Sequence, residues 1–259
     1  MSRLRARCPD CRTLTAVALD EGYECHSCGR AFAAGLVRVP AAWGEGGEAM
    51  VEAAALELPY PETAVIDEDR LADQNLALAA ALPDRPLVLG GCCCSHIGAV
   101  EGLAARHDRL AVVWFDAHGD LNTPETSPSG NVWGMPFRML LDSDTVRAED
   151  AVLVGARALD PPEEVFIAES GLHTGDEGIT AALAGADAVY VALDVDVLDP
   201  DDSVTPFMPE PGGPSVADVE ATLERIRAST PVVGLGLTGV AGVPANVPPL
   251  VRFAQAAGL

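Results

Sequence analysis

The chain has 259 residues, enough for one large α/β domain or two smaller ones, and at 49% hydrophobic it can bury a full core. Its 39 acidic against 16 basic residues leave a formal charge of -23, a field that repels phosphate backbones and anionic lipid headgroups and argues against nucleic acid or membrane partners. All 16 basic residues are arginine, which excludes a Schiff-base lysine, a Walker-type phosphate loop and a lysine general base.

The first segment, MSRLRARCPDC, lacks the apolar stretch of a signal peptide, and no apolar run reaches the roughly 20 residues of a membrane helix. A cytoplasmic location is the expectation. Cys8 and Cys11 in CPDC and Cys25 and Cys28 in CHSC are paired Cys-x-x-Cys knuckles at zinc-ribbon separation, with Gly29 suiting the tight turn after the second. A reducing compartment argues against two structural disulfides, and a redox Cys-x-x-Cys needs no second pair. One structural zinc is therefore expected over residues 1–35, where it supplies folding energy rather than catalysis and leaves the ribbon for docking or subunit contact. His26, inside the second knuckle, reads as an exposed loop residue.

Residues 36–259 alternate strand and helix. LADQNLALAAAL has the helical apolar period, PLVLG is a short apolar strand, SHIGAVEGLAARH is helical, and LAVVWF is a buried strand. The alternation continues through AVLVGA, AVYVALDVDVL, a helix capped by Ser215 in SVADVEATLERIRAS, the strand PVVGLGLTGV and a last helix near PLVRFAQAA. Strands buried on both faces predict a three-layer α/β/α domain with a mostly parallel sheet, in which ligands bind beyond the carboxyl ends of the strands.

Two polar clusters fall at such ends. After LAVVWF come Asp116, His118 and Asp120, and in VALDVDVLDP come Asp194 and Asp196, both with a spacing of two that strand alternation would place on one side. Carboxylates and an imidazole suit hard or borderline divalent ions, and ligands from two strand ends can hold two ions that position and ionise a water. The alternative is that these acids are helix caps and solvated turns in a very acidic chain. The three consecutive cysteines Cys92, Cys93 and Cys94 read either as small apolar packing or as a source of a ligand.

At DAHGDLN, the following SGN, LDVDVLDP, and VLGG before a helix, the sequence resembles the arginase and agmatinase family of manganese-dependent ureohydrolases, from about Val37 to Leu259. The resemblance implies two divalent ions, one on Asp116, His118, Asp194 and Asp196, the other sharing Asp116 and Asp194 and adding Asp120, which is also a candidate proton acceptor. It implies that Asn122, Ser129 and Asn131 hold the amino-acid end of a small-molecule substrate, that Asp160 binds an amine, and that the chain forms a homo-oligomer.

Three positions depart from the family pattern. Cys93 stands where the family's GGDHS supplies a histidine ligand, and a thiolate shifts preference from manganese toward zinc, iron or cobalt; His96, one turn on, is the rival ligand. Trp133 replaces a histidine credited with proton transfer, and Gly239 replaces the glutamate that receives the guanidinium. The expectation is a metal-dependent hydrolase of a carbon-nitrogen bond in an amidine or amide, not an ordinary guanidinium. A single-metal deacetylase-like amide hydrolase and an inactive metal-binding subunit or sensor are the alternatives.

Overall fold

A computed structural model describes residues 5–20 and 22–259; residues 1–4 and Glu21 of the expected ribbon lie outside the described residues. Four short strands, β1 (Arg5–Ala6), β2 (Ala16–Leu19), β3 (Gly22–Cys25) and β4 (Ala31–Phe32), pair antiparallel in that order. Among the described residues, the buried apolar cluster of this small sheet is Ala6, Cys8, Ala16, Tyr23, Cys25 and Phe32, a small core for a fold without a further constraint.

The chain then alternates through β5 (Gly35–Val39), α1 (Glu48–Ala53), β6 (Glu62–Val65), α2 (Leu71–Ala81), β7 (Pro86–Gly90), α3 (Ser95–Ala104) and β8 (Leu110–Phe115). It continues through α4 (Pro136–Asp142), β9 (Ala151–Val154), α5 (Pro161–Ser170), β10 (His173–Thr174), α6 (Gly175–Ala182), β11 (Ala188–Asp194), α7 (Val216–Ser229), β12 (Val232–Thr238) and α8 (Val247–Ala256). β5 to β12 form one eight-stranded sheet in the order β10-β9-β8-β11-β12-β7-β5-β6. Every pairing in it is parallel.

Period-two alternation builds a core on each face. Val113, Phe115, Val191 and Leu193 pack on one side, and Val112, Trp114, Tyr190 and Ala192 on the other. Helices cover both faces, so the central strands carry unbroken apolar runs, and the expected α/β/α architecture is present. Ser215 caps α7 as expected: its hydroxyl accepts from the Asp218 N–H at 3.2 Å, and Asp218 returns the bond to the Ser215 N–H at 3.0 Å.

β8 leaves the sheet toward the face covered by α4 and its neighbour β11 toward the face covered by α7, so their connections part to opposite sides of the sheet. A crevice opens there, beyond the carboxyl ends of the strands. At the far edge, the backbone N–H groups of Arg7 and Glu62 each donate to the other's carbonyl at 3.1 Å, so the small N-terminal sheet covers part of the open edge of β6.

Candidate metal centre

β8 ends at Phe115, and the Asp116 N–H still bonds to the Val154 carbonyl at 3.0 Å before the chain leaves the ladder. The spacing of Asp116, His118 and Asp120 is therefore not strand alternation, which corrects the expectation from sequence. The segment is a bend: the Asp116 carboxylate accepts from the His118 N–H at 2.7 Å, and Asp120 adopts φ +53°. The second cluster turns in the same way. Asp194 closes β11 and its carboxylate accepts from the Asp196 N–H at 3.0 Å, opening a short 3-10 turn over Val195–Val197. Two aspartate turns on adjacent strands thus aim their side chains into one crevice.

The side chains converge closely. His118 Nδ1 lies 2.8 Å from Asp196 Oδ2 and 3.4 Å from Asp116 Oδ1. Asp116 Oδ2 faces the other way, 3.9 Å from the Cys93 thiol. That thiol donates to Asp194 Oδ2 at 2.9 Å, and the Thr238 hydroxyl at the end of β12 donates to the same oxygen at 3.1 Å. Two compact sets of donor atoms result, Cys93 with Asp116 and Asp120, and Asp116 with His118 and Asp196. Asp116 belongs to both; Asp194 lies just outside these tight sets, tied to Cys93 and Thr238.

Burial makes this donor set electrostatically demanding. Asp116, Asp120, Asp194 and Asp196 are all buried. Desolvation, reinforced by neighbouring carboxylates, pushes Asp194 up to about 7 and Asp196 to about 6, and Asp120 well above the usual carboxylate range. Burial and the same carboxylates likewise push the Cys93 thiol well up. For His118, burial opposes the charged form, but Asp116 and Asp196 override it and hold the ring up to about 12. Asp120 Oδ2 is buried with no hydrogen-bond partner. Such a cluster cannot stay fully ionised without compensating positive charge, and carboxylates, an imidazole and a thiol are the donors that a pair of divalent ions accepts. The residues present fit that group.

His96, the rival to Cys93, lies one layer below. Its Nδ1 is 2.9 Å from the Tyr190 hydroxyl and its Nε2 3.1 Å from the Thr238 hydroxyl, and full burial holds its pKa down to about 3. It supports Thr238, which in turn supports Asp194.

A cavity of about 450 Å³ opens over the cluster. Among the described residues, seven carboxylates line it, those of Asp116, Asp120, Asp160, Glu163, Asp194, Asp196 and Glu210, and no arginine does. Asn122 donates to Asp160 Oδ2 at 2.8 Å, and Ser129 and Trp133 stand at the wall. Asn131, also expected to hold substrate, is not among the residues lining this cavity, and its amide oxygen accepts from the Glu45 N–H at 2.8 Å. Glu163, not foreseen from sequence, is buried and bridges the Leu121 and Asp160 N–H groups, each at 2.9 Å. Its one sequence signal is its position three residues after Asp160 at the start of α5, the spacing of a capping box.

Gly239 follows β12 with φ +64°, and a Cβ built there would overlap the Asp194 carboxylate. Phe207 N–H donates to the Gly239 carbonyl at 2.7 Å, so Phe207 and Met208 of the 199–215 loop form the wall beside it.

In the N-terminal sheet, the thiols of Cys8 and Cys28 are 3.7 Å apart and those of Cys11 and Cys25 3.5 Å, and all four cysteines are free. The edge of a tetrahedron with zinc-thiolate bonds of about 2.3 Å is roughly 3.8 Å, so the spacing suits one ion and not disulfides. The residue after each knuckle, Arg12 at φ +57° and Gly29 at φ +75°, makes the same left-handed turn.

A parallel α/β sheet with two aspartate turns converging at its switch point defines a protein with a carboxylate-rich cluster able to hold metal ions. Residues 49–244 match the Arginase family model, and the chain belongs to that family. It is 39% identical over 166 residues to the arginase of Bacillus subtilis (strain 168), covering 54% of this chain and 56% of that protein. It is 36% identical over 188 residues to the arginase of Bacillus caldovelox, covering 60% and 63%. Among solved structures, the arginase of Bacillus subtilis subsp. subtilis str. 168 superposes with a TM-score of 0.74 at 26% identity, covering 86% of this chain and 97% of that one. The alignments to the first two relatives thus span less than two thirds of their length.

Proposed function

We propose that the protein is a metal-dependent hydrolase of a carbon-nitrogen bond in an amidine or amide that carries a cationic amine, distinct from ordinary guanidinium substrates. One ion would be held by Asp116, His118, Asp194 and Asp196; the other would share Asp116 and Asp194 and add Asp120 and Cys93. Such a pair, when bound, supplies Lewis acidity and an easily ionised water. The thiol of Cys93 softens the second position, favouring zinc, iron or cobalt over the manganese that the family resemblance suggests.

The remaining steps fall to the chain's own side chains. Asp120 Oδ2, buried and unpartnered, is the proton acceptor of the reading. Beyond the four carboxylates assigned to the ions, Asp160, Glu163 and Glu210 line the cavity and favour a cation over a free carboxylate, and Asp160, oriented by Asn122, receives the substrate amine. Ser129 is the further polar contact at the wall.

The observation that carries the substrate reading is Gly239. A buried guanidinium needs a carboxylate partner, which an amide or a neutral amidine does not, and the backbone there is glycine at φ +64° with the aromatic and thioether walls of Phe207 and Met208 beside it. Trp133 offers no proton relay at the mouth. The test is a panel of primary amines bearing terminal amidine, amide or guanidine groups, assayed for release of ammonia, amine or urea with fully metallated protein. Turnover confined to amidines or amides supports the reading; no turnover by any member rejects it in favour of a metal-binding subunit.

The N-terminal ribbon is read as a separate structural zinc unit of residues 1–35 ahead of the metal-binding domain, residues 36–259. Replacing Cys25 and Cys28 by serine is expected to remove one zinc per chain while leaving the content of the larger site unchanged. Elemental analysis of purified protein decides it; an unchanged zinc content would reject the assignment.

A further inference from the structure

One side chain ties the 199–215 loop directly to the Asp196 turn. The Arg157 guanidinium donates to carbonyls of the ligand turn, Asp196 at 2.9 Å and Val197 at 3.0 Å, and to carbonyls of the loop, Glu210 at 2.7 Å and Pro211 at 3.0 Å. In a chain with 39 acidic residues, this arginine spends its donors on backbone. Gly213 lets the loop approach still closer, since a Cβ there would overlap the Val197 carbonyl. Asp199 closes the base by accepting from the Gly212 N–H at 2.8 Å. The backbone at Glu210 is thereby fixed relative to Asp196.

Fixing Glu210 matters because of His118. Its Nδ1 points at Asp196 and Asp116, while its Nε2 faces outward, 3.9 Å from Glu210 Oε1. A histidine that ligates through Nδ1 must carry its proton on Nε2, and the acceptor of that proton fixes the tautomer and the ring's orientation. We propose that Glu210 is a positioning residue for His118: delivered by the Arg157-anchored loop, its carboxylate accepts the Nε2–H and leaves Nδ1 bare toward the ion. Closing the gap to hydrogen-bond length requires only the side-chain torsions of Glu210, because its backbone is already held.

The inference rests on the reading of His118 as a metal ligand, and Mn2+ titration of the full-length protein separates the two. Glu210→Ala is expected to weaken the ion on the His118 side roughly 10- to 100-fold, the usual cost of losing an outer partner of a ligating histidine. Glu210→Gln, whose amide oxygen still accepts, should restore most of that affinity. In a His118→Ala background, Glu210→Ala should cost nothing further, since its effect passes through the ring. Unchanged affinity in Glu210→Ala, a glutamine variant as weak as the alanine variant, or an equal loss without His118 would each overturn the role. A wild-type protein whose affinity is indifferent to His118→Ala would instead overturn the ligand reading beneath it.

Discussion

Asp116→Ala is expected to reduce the content of the larger site from two ions per chain toward none, whereas Asp196→Ala should remove one. The geometry gives the reason. Asp116 Oδ1 faces His118 Nδ1 at 3.4 Å while its Oδ2 faces the Cys93 thiol at 3.9 Å, so the carboxylate spans both donor sets. Asp196 Oδ2 faces His118 alone, and its Oδ1 is taken by the Ala117 N–H at 2.9 Å. Asp194→Ala should resemble Asp116→Ala, because Asp194 holds Cys93 and Thr238 on one oxygen and fixes the Asp196 turn with the other. Elemental analysis of the purified variants, with circular dichroism to show that each is folded, checks this. Equal losses in all three would refute the shared-carboxylate scheme.

The second large effect is expected at Gly239. An alanine there must occupy φ +64°, which costs about 1–2 kcal/mol in a left-handed conformation, and its methyl must displace the Asp194 carboxylate. Gly239→Ala should therefore lower Tm and also weaken both ions, although glycine itself ligates nothing. Differential scanning calorimetry with and without added metal separates the two contributions: the Tm gain on adding metal should be markedly smaller in the variant. A gain equal to that of wild type would show that Asp194 tolerates the methyl. By the same geometry, Gly239→Glu cannot serve as a simple restoration of a guanidinium partner, because the first carbon of the new side chain already collides with a proposed ligand.

The core of the fold was legible because β7, β8, β9, β11 and β12 are short apolar runs bounded by turn residues, and α7 announces its start with Ser215. The edges were not. β5 contains Arg38, whose guanidinium is tied to Glu62 at 2.9 Å, and β10 is two residues long, so neither displays a buried-strand pattern. At the site, residue types were more informative than local conformation. Asp116, His118 and Asp120 share a spacing of two with a strand, but side-chain-to-backbone bonds and a left-handed aspartate bring them together instead. Glu163 and Glu210 escaped notice because each depends on tertiary placement, one at the start of α5 and one on a loop flanked by Pro209 and Pro211. Asn131 belongs to a motif yet turns to a backbone N–H outside the cavity.

What the cavity accepts is tested most directly by urea release from L-arginine and agmatine with fully metallated wild-type protein. With Gly239 in place of a carboxylate and Phe207 and Met208 beside it, a guanidinium held at that wall would be desolvated without the carboxylate it needs there, a loss of several kcal/mol. No urea above background is expected from either compound at saturating concentration, while an amidine or amide of matching length turns over. Robust urea release from arginine or agmatine, dependent on the metal and abolished in Asp116→Ala, would contradict it.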